Sequence, residues 1–217
     1  MAKLLALGDC NTLGVAHFVY RTYVERFAAA RGLTPVNCGC AMATTREARR
    51  FFADCFDADT ACVTIQYGLV DSWRTFRYAP YVLYYPDNSL RKAARKLVKK
   101  YKALARQWGW NARLGETHVV PPDEYRANLE HIITAAAPIP VFLIETAPHT
   151  HAERNPAIEQ YNALLHDLAR RHPRVRCVEI YAALAGRLAD YSFDATHLNE
   201  AAHDLIAGRL LAAADVP

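Results

Sequence analysis

Five short runs of apolar, β-favouring residues, at 3–7, 34–38, 61–67, 140–146 and 175–180, alternate along the chain with stretches of helical period at 16–31, 45–55, 123–136, 157–171 and 200–213. No other feature narrows the choice of fold as far. Each run is apolar at nearly every position rather than at every second one, which is the pattern of strands covered on both faces. Strands that alternate with helices join through right-handed crossovers into a parallel sheet. The chain is therefore expected to be α/β: a three-layer α/β/α sandwich around a five-stranded parallel sheet, built as one domain over residues 1–217. Ligands of such sheets bind beyond the carboxyl ends of the strands, so the loops at that edge are where chemistry is to be sought.

The stretch 72–122 breaks the alternation. It is too long for a plain connection and reads as an insertion after the third strand. It opens with Trp73, Phe76, Tyr78, Tyr81, Tyr84 and Tyr85, then turns at residues 86–89 into a basic block. Residues 91–113 hold nine of the chain's 26 Lys and Arg and none of its 22 Asp and Glu, so without this block the protein would be acidic. Leu90, Ala94, Leu97, Tyr101, Leu104 and Trp108 recur at intervals of three and four, predicting an amphipathic helix capped by Asn88 or Ser89 with that stripe packed inward. The insertion is expected to act as a lid or docking element that receives an anionic or carrier-bound acyl substrate, an acidic partner, or an anionic membrane surface at 91–113. No recognised binding motif accompanies the charge, so no nucleic acid partner is expected.

Apolar runs far shorter than the roughly 20 residues of a membrane span, and the missing basic and apolar regions of a signal peptide, lead to the expectation of a cytoplasmic protein. Six cysteines in that setting are expected to be reduced thiols, each to be judged as core filler, ligand or nucleophile. Cys55, Cys62 and Cys177 fall within helix or strand patterns, as core residues do.

Polar residues collect where the strands end. The first strand runs into Gly8, Asp9, Cys10 and Asn11, the second into Asn37, Cys38, Gly39 and Cys40, the third into Gly68, Leu69, Val70 and Asp71, and Asp194 to His197 precede the last helix. A thiol in the first turn, facing a helix that begins near Val15, is expected to have a lowered pKa. Asp194 lies three residues before His197, close enough for its carboxylate to orient the imidazole. Nucleophile, base and orienting acid together are the means by which thiols and hydroxyls attack acyl carbon.

These blocks resemble those of the SGNH, or GDSL-type, hydrolase superfamily across nearly the whole chain. Residues 4–12, with Gly8-Asp9-Cys10, resemble the first family block, in which the nucleophile stands where Cys10 stands here. Residues 194–199 match the fifth block, which carries the acid and the base, and Tyr161-Asn162 stand where family members often have them. The resemblance implies a flavodoxin-like sheet of the SGNH-hydrolase type, a Cys10-His197-Asp194 triad, and an oxyanion site made by the backbone N–H groups of Cys10 and Gly39 with Asn11 as a further donor. Asp9, Val70, Asp71, Trp73 and His149 are the rim residues expected to meet substrate, and no cofactor is called for. Two departures stand out: Cys10 replaces the family serine and Val70 the oxyanion asparagine. The implied reaction is hydrolysis or transfer of an ester or thioester acyl group through an acyl-cysteine.

Two other readings use the same residues. Cys38, Cys40, Cys10 and the pair His149 and His151 offer thiols and imidazoles for zinc, although Cys-x-Cys lacks the spacer of structural zinc sites, and metal is not the reading adopted. A binding protein that kept the fold and docks an acidic partner through the insertion would explain Val70 without catalysis.

Overall fold

A computed structural model describes residues 1–14 and 21–215. In chain order the elements are β1 (Lys3–Gly8), α1 (Cys10–Leu13), α2 (Tyr23–Ala30), β2 (Thr34–Gly39), α3 (Thr45–Cys55), β3 (Thr60–Gln66), β4 (Arg74–Phe76), α4 (Ser89–Gln107), α5 (Trp110–Leu114), β5 (Glu116–His118), α6 (Pro122–Ala136), β6 (Val141–Ile144), α7 (Asn155–Arg171), β7 (Val175–Val178), α8 (Tyr181–Leu184), α9 (Leu188–Tyr191) and α10 (Glu200–Ala214). Five strands form one parallel sheet in the order β2-β1-β3-β6-β7. All five expected strands are present. The expected helix over 16–31 is observed as α2 from Tyr23, and its proposed beginning, with the Val15 dipole, lies outside the described residues.

The nearly continuous hydrophobicity of the strands has a direct cause. Along β1, Leu5 and Leu7 enter one core with Phe51 of α3, Leu129 of α6 and Leu165 of α7. Leu4 and Ala6 point the other way, into a second core with Phe27 of α2 and Ile206 of α10. Every residue of the strand meets a covered face, because neighbouring side chains project to opposite sides. The chain leaves β1 toward β2 on one side and later returns to β3 on the other, so a crevice opens at the carboxyl ends of β1 and β3. Cys10 is the second residue beyond that edge of β1.

The insertion contains elements that its composition concealed. β4 and β5 pair antiparallel, Arg74 opposite His118 and Phe76 opposite Glu116, and close its base. The α4 helix is capped by Asn88, whose Oδ1 accepts from the Arg91 N–H at 2.8 Å. Its orientation corrects the expectation. Leu90 and Leu97 face outward, and the face turned to the protein carries Arg91, Arg95, Val98, Lys102 and Ala105, with only Ala105 fully buried. The neighbouring segment offers rings and carbonyls rather than an apolar wall: Arg95 donates to the Leu83 carbonyl at 2.8 Å, pairs with Asp87 at 2.5 Å and lies over the Tyr84 ring. Such partners suit a cation on a long apolar stem better than a leucine.

One buried carboxylate pins this segment to the body. Glu47 caps α3 by accepting from the Thr44 N–H at 2.9 Å, and it also accepts from the Tyr81 hydroxyl at 2.9 Å and the Tyr84 N–H at 2.7 Å. Among the described residues no helix is long and apolar enough to cross a membrane, and all six cysteines are free.

Candidate active site

The turn after β1 and the loop before α10 are stitched together by one side chain. Asn11 Oδ1 accepts from the Leu198 N–H at 2.9 Å, and Asn11 Nδ2 donates to the Thr196 carbonyl at 3.4 Å. The residue after Cys10 thus holds both neighbours of His197. Within that loop the His197 imidazole and Asp194 Oδ2 are 2.7 Å apart through Nδ1, while Asp194 Oδ1 accepts from the Thr196 N–H at 2.7 Å and the His197 N–H at 2.8 Å. Burial works against the ionised Asp194, but these three hydrogen bonds outweigh it and hold its carboxyl down at about 2. An Nδ1–H donated to a carboxylate leaves Nε2 as the basic nitrogen.

Cys10 is half-buried and its thiol is pushed well above the usual range, first by burial and then by the Asp9 and Asp194 carboxylates. This corrects the expected lowered pKa. A neutral thiol can act as a nucleophile only by passing its proton to a base as it attacks.

The expected oxyanion donors are largely committed elsewhere. The Gly39 N–H donates to Asn37 Oδ1 at 2.9 Å, and the side chain of Asn11 is occupied by the loop it holds. Gly39 is required for a different reason: a Cβ there would lie 2.1 Å from the backbone nitrogen of Leu13, so only glycine lets β2 pass α1. The Cys10 backbone N–H sits beside its own sulfur.

The other rim residues separate into two groups. Asp9 is buried and caps α1, accepting from the Asn11 N–H at 2.9 Å; burial pushes its carboxyl up to about 6. Asp71 is fully buried and holds the start of α3, accepting from the Thr45 N–H at 2.9 Å and hydroxyl at 2.7 Å; burial raises it to about 7. His149 lines a cavity of about 20 Å³ with Asn11 and Thr196, and its Nδ1 accepts from the His151 N–H at 2.9 Å. That space holds about one water, not a substrate group. Asp9, Asp71 and His149 each make hydrogen bonds within the scaffold.

Val70 and Trp73, by contrast, line a cavity of about 440 Å³ between the rim and the insertion. Its walls are Phe76, Val98 and Val119 on one hand and Arg95, Lys99, Lys102 and Arg106 on the other. Lys102 is lowered by burial and by Arg106 and Arg46, the mark of a cation enclosed without a carboxylate. Arg154, which reaches His149, lies over the Trp73 ring at 5.2 Å, and the buried Trp73 indole N–H has no partner among the described residues. Sequence reasoning missed Arg154 and Asn37. Asn37 carried a signal, since an Asn two residues before a strand-end glycine bonds its backbone in an Asx turn; Arg154 carried none. Tyr161 and Asn162 work at a distance: Asn162 pairs with both backbone groups of Thr146, and Tyr161 donates to the Val120 carbonyl. Among the described residues no three His, Cys, Asp or Glu side chains gather as metal ligands; Cys38 turns toward Cys55 instead.

Solved structures share this architecture. A lipase/acylhydrolase from Enterococcus faecalis superposes with a TM-score of 0.66 at 16% identity, covering 98% of this chain and 94% of that one. A catalytic mutant of the acetylxylan esterase Axe2 from Geobacillus stearothermophilus gives 0.66 at 20% identity over 100% and 95%. LAE5, an alpha/beta hydrolase enzyme from the metagenome of Lake Arreo, Spain, gives 0.65 at 22% identity over 98% and 94%. At these identities the likeness is one of fold. No curated protein matches the chain. The family model described as GDSL-like Lipase/Acylhydrolase matches residues 6–205, nearly the full length, and the chain belongs to that family.

Proposed function

We propose that this protein hydrolyses or transfers the acyl group of an ester or thioester through a covalent acyl-cysteine at Cys10. The observation that carries the reading is the stitch of Asn11 to both sides of His197, with Asp194 bonded to the ring. As the Cys10 sulfur bonds to the acyl carbon, His197 Nε2 takes the thiol proton. The tetrahedral intermediate then collapses, and His197 returns the proton to the departing alkoxide or thiolate. Water, or an alcohol or amine acceptor, attacks the acyl-cysteine while His197 removes its proton, and Cys10 leaves with that proton as a thiol. The Cys10 N–H is the backbone donor for the oxyanion, and the unpartnered Trp73 indole N–H is a donor offered beside the cavity that Val70 lines. Each absent oxyanion donor costs about 10²–10³ in rate, which favours thioesters and other activated acyl groups. Six free thiols are in keeping with a reducing, cytoplasmic setting.

A brief exposure to a short-chain acyl thioester followed by peptide mass spectrometry tests this. One acyl group on Cys10, absent in Cys10→Ala and strongly reduced in His197→Ala, is the expected result. The partly exposed Cys40 is the internal control. Equal labelling of Cys10 and Cys40, indifferent to His197, would sink the reading in favour of a second one, a binding protein of this fold. That alternative has its own observation: Val70 is apolar, and the Gly39 N–H and Asn11 side chain are spent on internal bonds.

A further inference from the structure

The outward face of α4 is apolar along its whole length. Leu90, Leu97 and Leu104 recur every seven residues, and Trp108 lies about five full turns beyond Leu90, so the four share one side over about 27 Å. They are 80%, 70%, 48% and 59% exposed in that order. Three further exposed large hydrophobic side chains, Tyr78, Tyr101 and Leu114, also lie in the insertion. A solvated helix ordinarily turns its leucines inward; here the inward side is taken by Arg95 and Lys102 with their ring and carbonyl partners.

Charge decides what this face can meet. The helix carries eight Lys and Arg and no carboxylate in its sequence SLRKAARKLVKKYKALARQ. Asp87 offsets Lys92 and Arg95. Lys96, Lys99 and Lys100 have no acidic partner among the described residues. A second copy docked stripe to stripe would oppose two such cationic helices, so self-association is disfavoured. The stripe is convex and, apart from the Trp108 indole, has no hydrogen-bonding side chain with which to recognise a protein. Leucines on one side, lysines beside them and a tryptophan at the end form the pattern of helices that lie in a membrane interface.

We propose that α4 seats the protein on an anionic lipid surface, with Leu90, Leu97, Leu104 and Trp108 at the acyl-chain boundary and Lys96 and Lys100 against the headgroup phosphates. The inference goes beyond acyl transfer and does not depend on Cys10. The opposite side of the same helix lines the 440 Å³ cavity with Val98, Lys102 and Arg106, so the element that meets lipid is also the one that walls the cavity.

Sedimentation of the full chain with vesicles of phosphatidylcholine plus phosphatidylglycerol, against phosphatidylcholine alone, is the test. Binding is expected with the mixed vesicles, weakened by salt. Leu97→Ser with Leu104→Ser should lower it about tenfold per leucine, and Lys96→Glu with Lys100→Glu on the order of tenfold or more. These side chains are exposed, so melting temperatures are expected to stay near that of the wild type, and Cys10→Ala should bind as well as the wild type. Failure of the wild type to sediment with the mixed vesicles would overturn the proposal. So would binding indifferent to both leucine substitutions, or a dimer in solution that those substitutions dissolve.

Discussion

The rim at the carboxyl edge of the sheet and the insertion are secured in opposite ways. At the rim, short side chains satisfy one another within a few residues of the chemistry: Asn11 to residues 196 and 198, Asp194 to residues 196 and 197. The insertion hangs from a small number of anchors, chief among them Glu47, and leaves its longest apolar stripe in solvent. Reaction geometry needs side chains held in fixed directions, whereas an element that meets an external surface must keep its binding face unsatisfied by its own fold.

The sharpest way to break this contrast is at the acid of the rim. Asp194→Asn is expected to lower kcat for a thioester about 10⁴-fold by losing the carboxylate that orients His197, together with a fall in melting temperature at neutral pH, muted because the residue is half in solvent. Glu47→Ala strands the buried Thr44 N–H, Tyr84 N–H and Tyr81 hydroxyl; a loss of about 3–4 kcal/mol in denaturant unfolding is expected, together with early proteolysis within 78–107. Asn11→Ala removes the acceptor that holds the Leu198 N–H and should cost about 1–3 kcal/mol while lowering kcat more than it raises KM.

A pH titration separates the scaffold carboxyls from the triad. Asp9 and Asp71 titrate at about 6 and about 7 in the native state but near 4 when unfolded. Between those values the native protein holds protons that the unfolded chain has released, so stability falls as pH rises from about 4 to about 7. Asp71→Asn is expected to flatten that slope, read from melting temperatures across the range. Asp194 behaves in the reverse sense: its stabilisation is present above the unfolded value and is lost as pH falls toward about 2. The smallest effect belongs to the stripe, where Leu97→Ser should change unfolding free energy by less than about 0.5 kcal/mol, against about 2–5 kcal/mol for Leu7→Ala in the core.

Local signals were legible in the residues, and distant partners were not. The apolar runs gave every strand of the parallel sheet, most plainly β1, β3 and β6, which are buried along nearly their whole length. Asp194 and His197 met as their spacing required. The Asx turn in which Asn37 takes the Gly39 N–H was not read from the sequence. The helix stripe misled because its periodicity records that one side is apolar, not which side the protein covers. Arg95 found Asp87 and the carbonyl at position 83 only once the aromatic segment had folded beneath it.

The stitch at Asn11 joins two segments 187 positions apart in the chain. Until residues 194–198 dock, a Cys10 nucleophile has no His197 to accept its proton. Half-made or carboxy-truncated chains would therefore carry the sulfur without its reactivity.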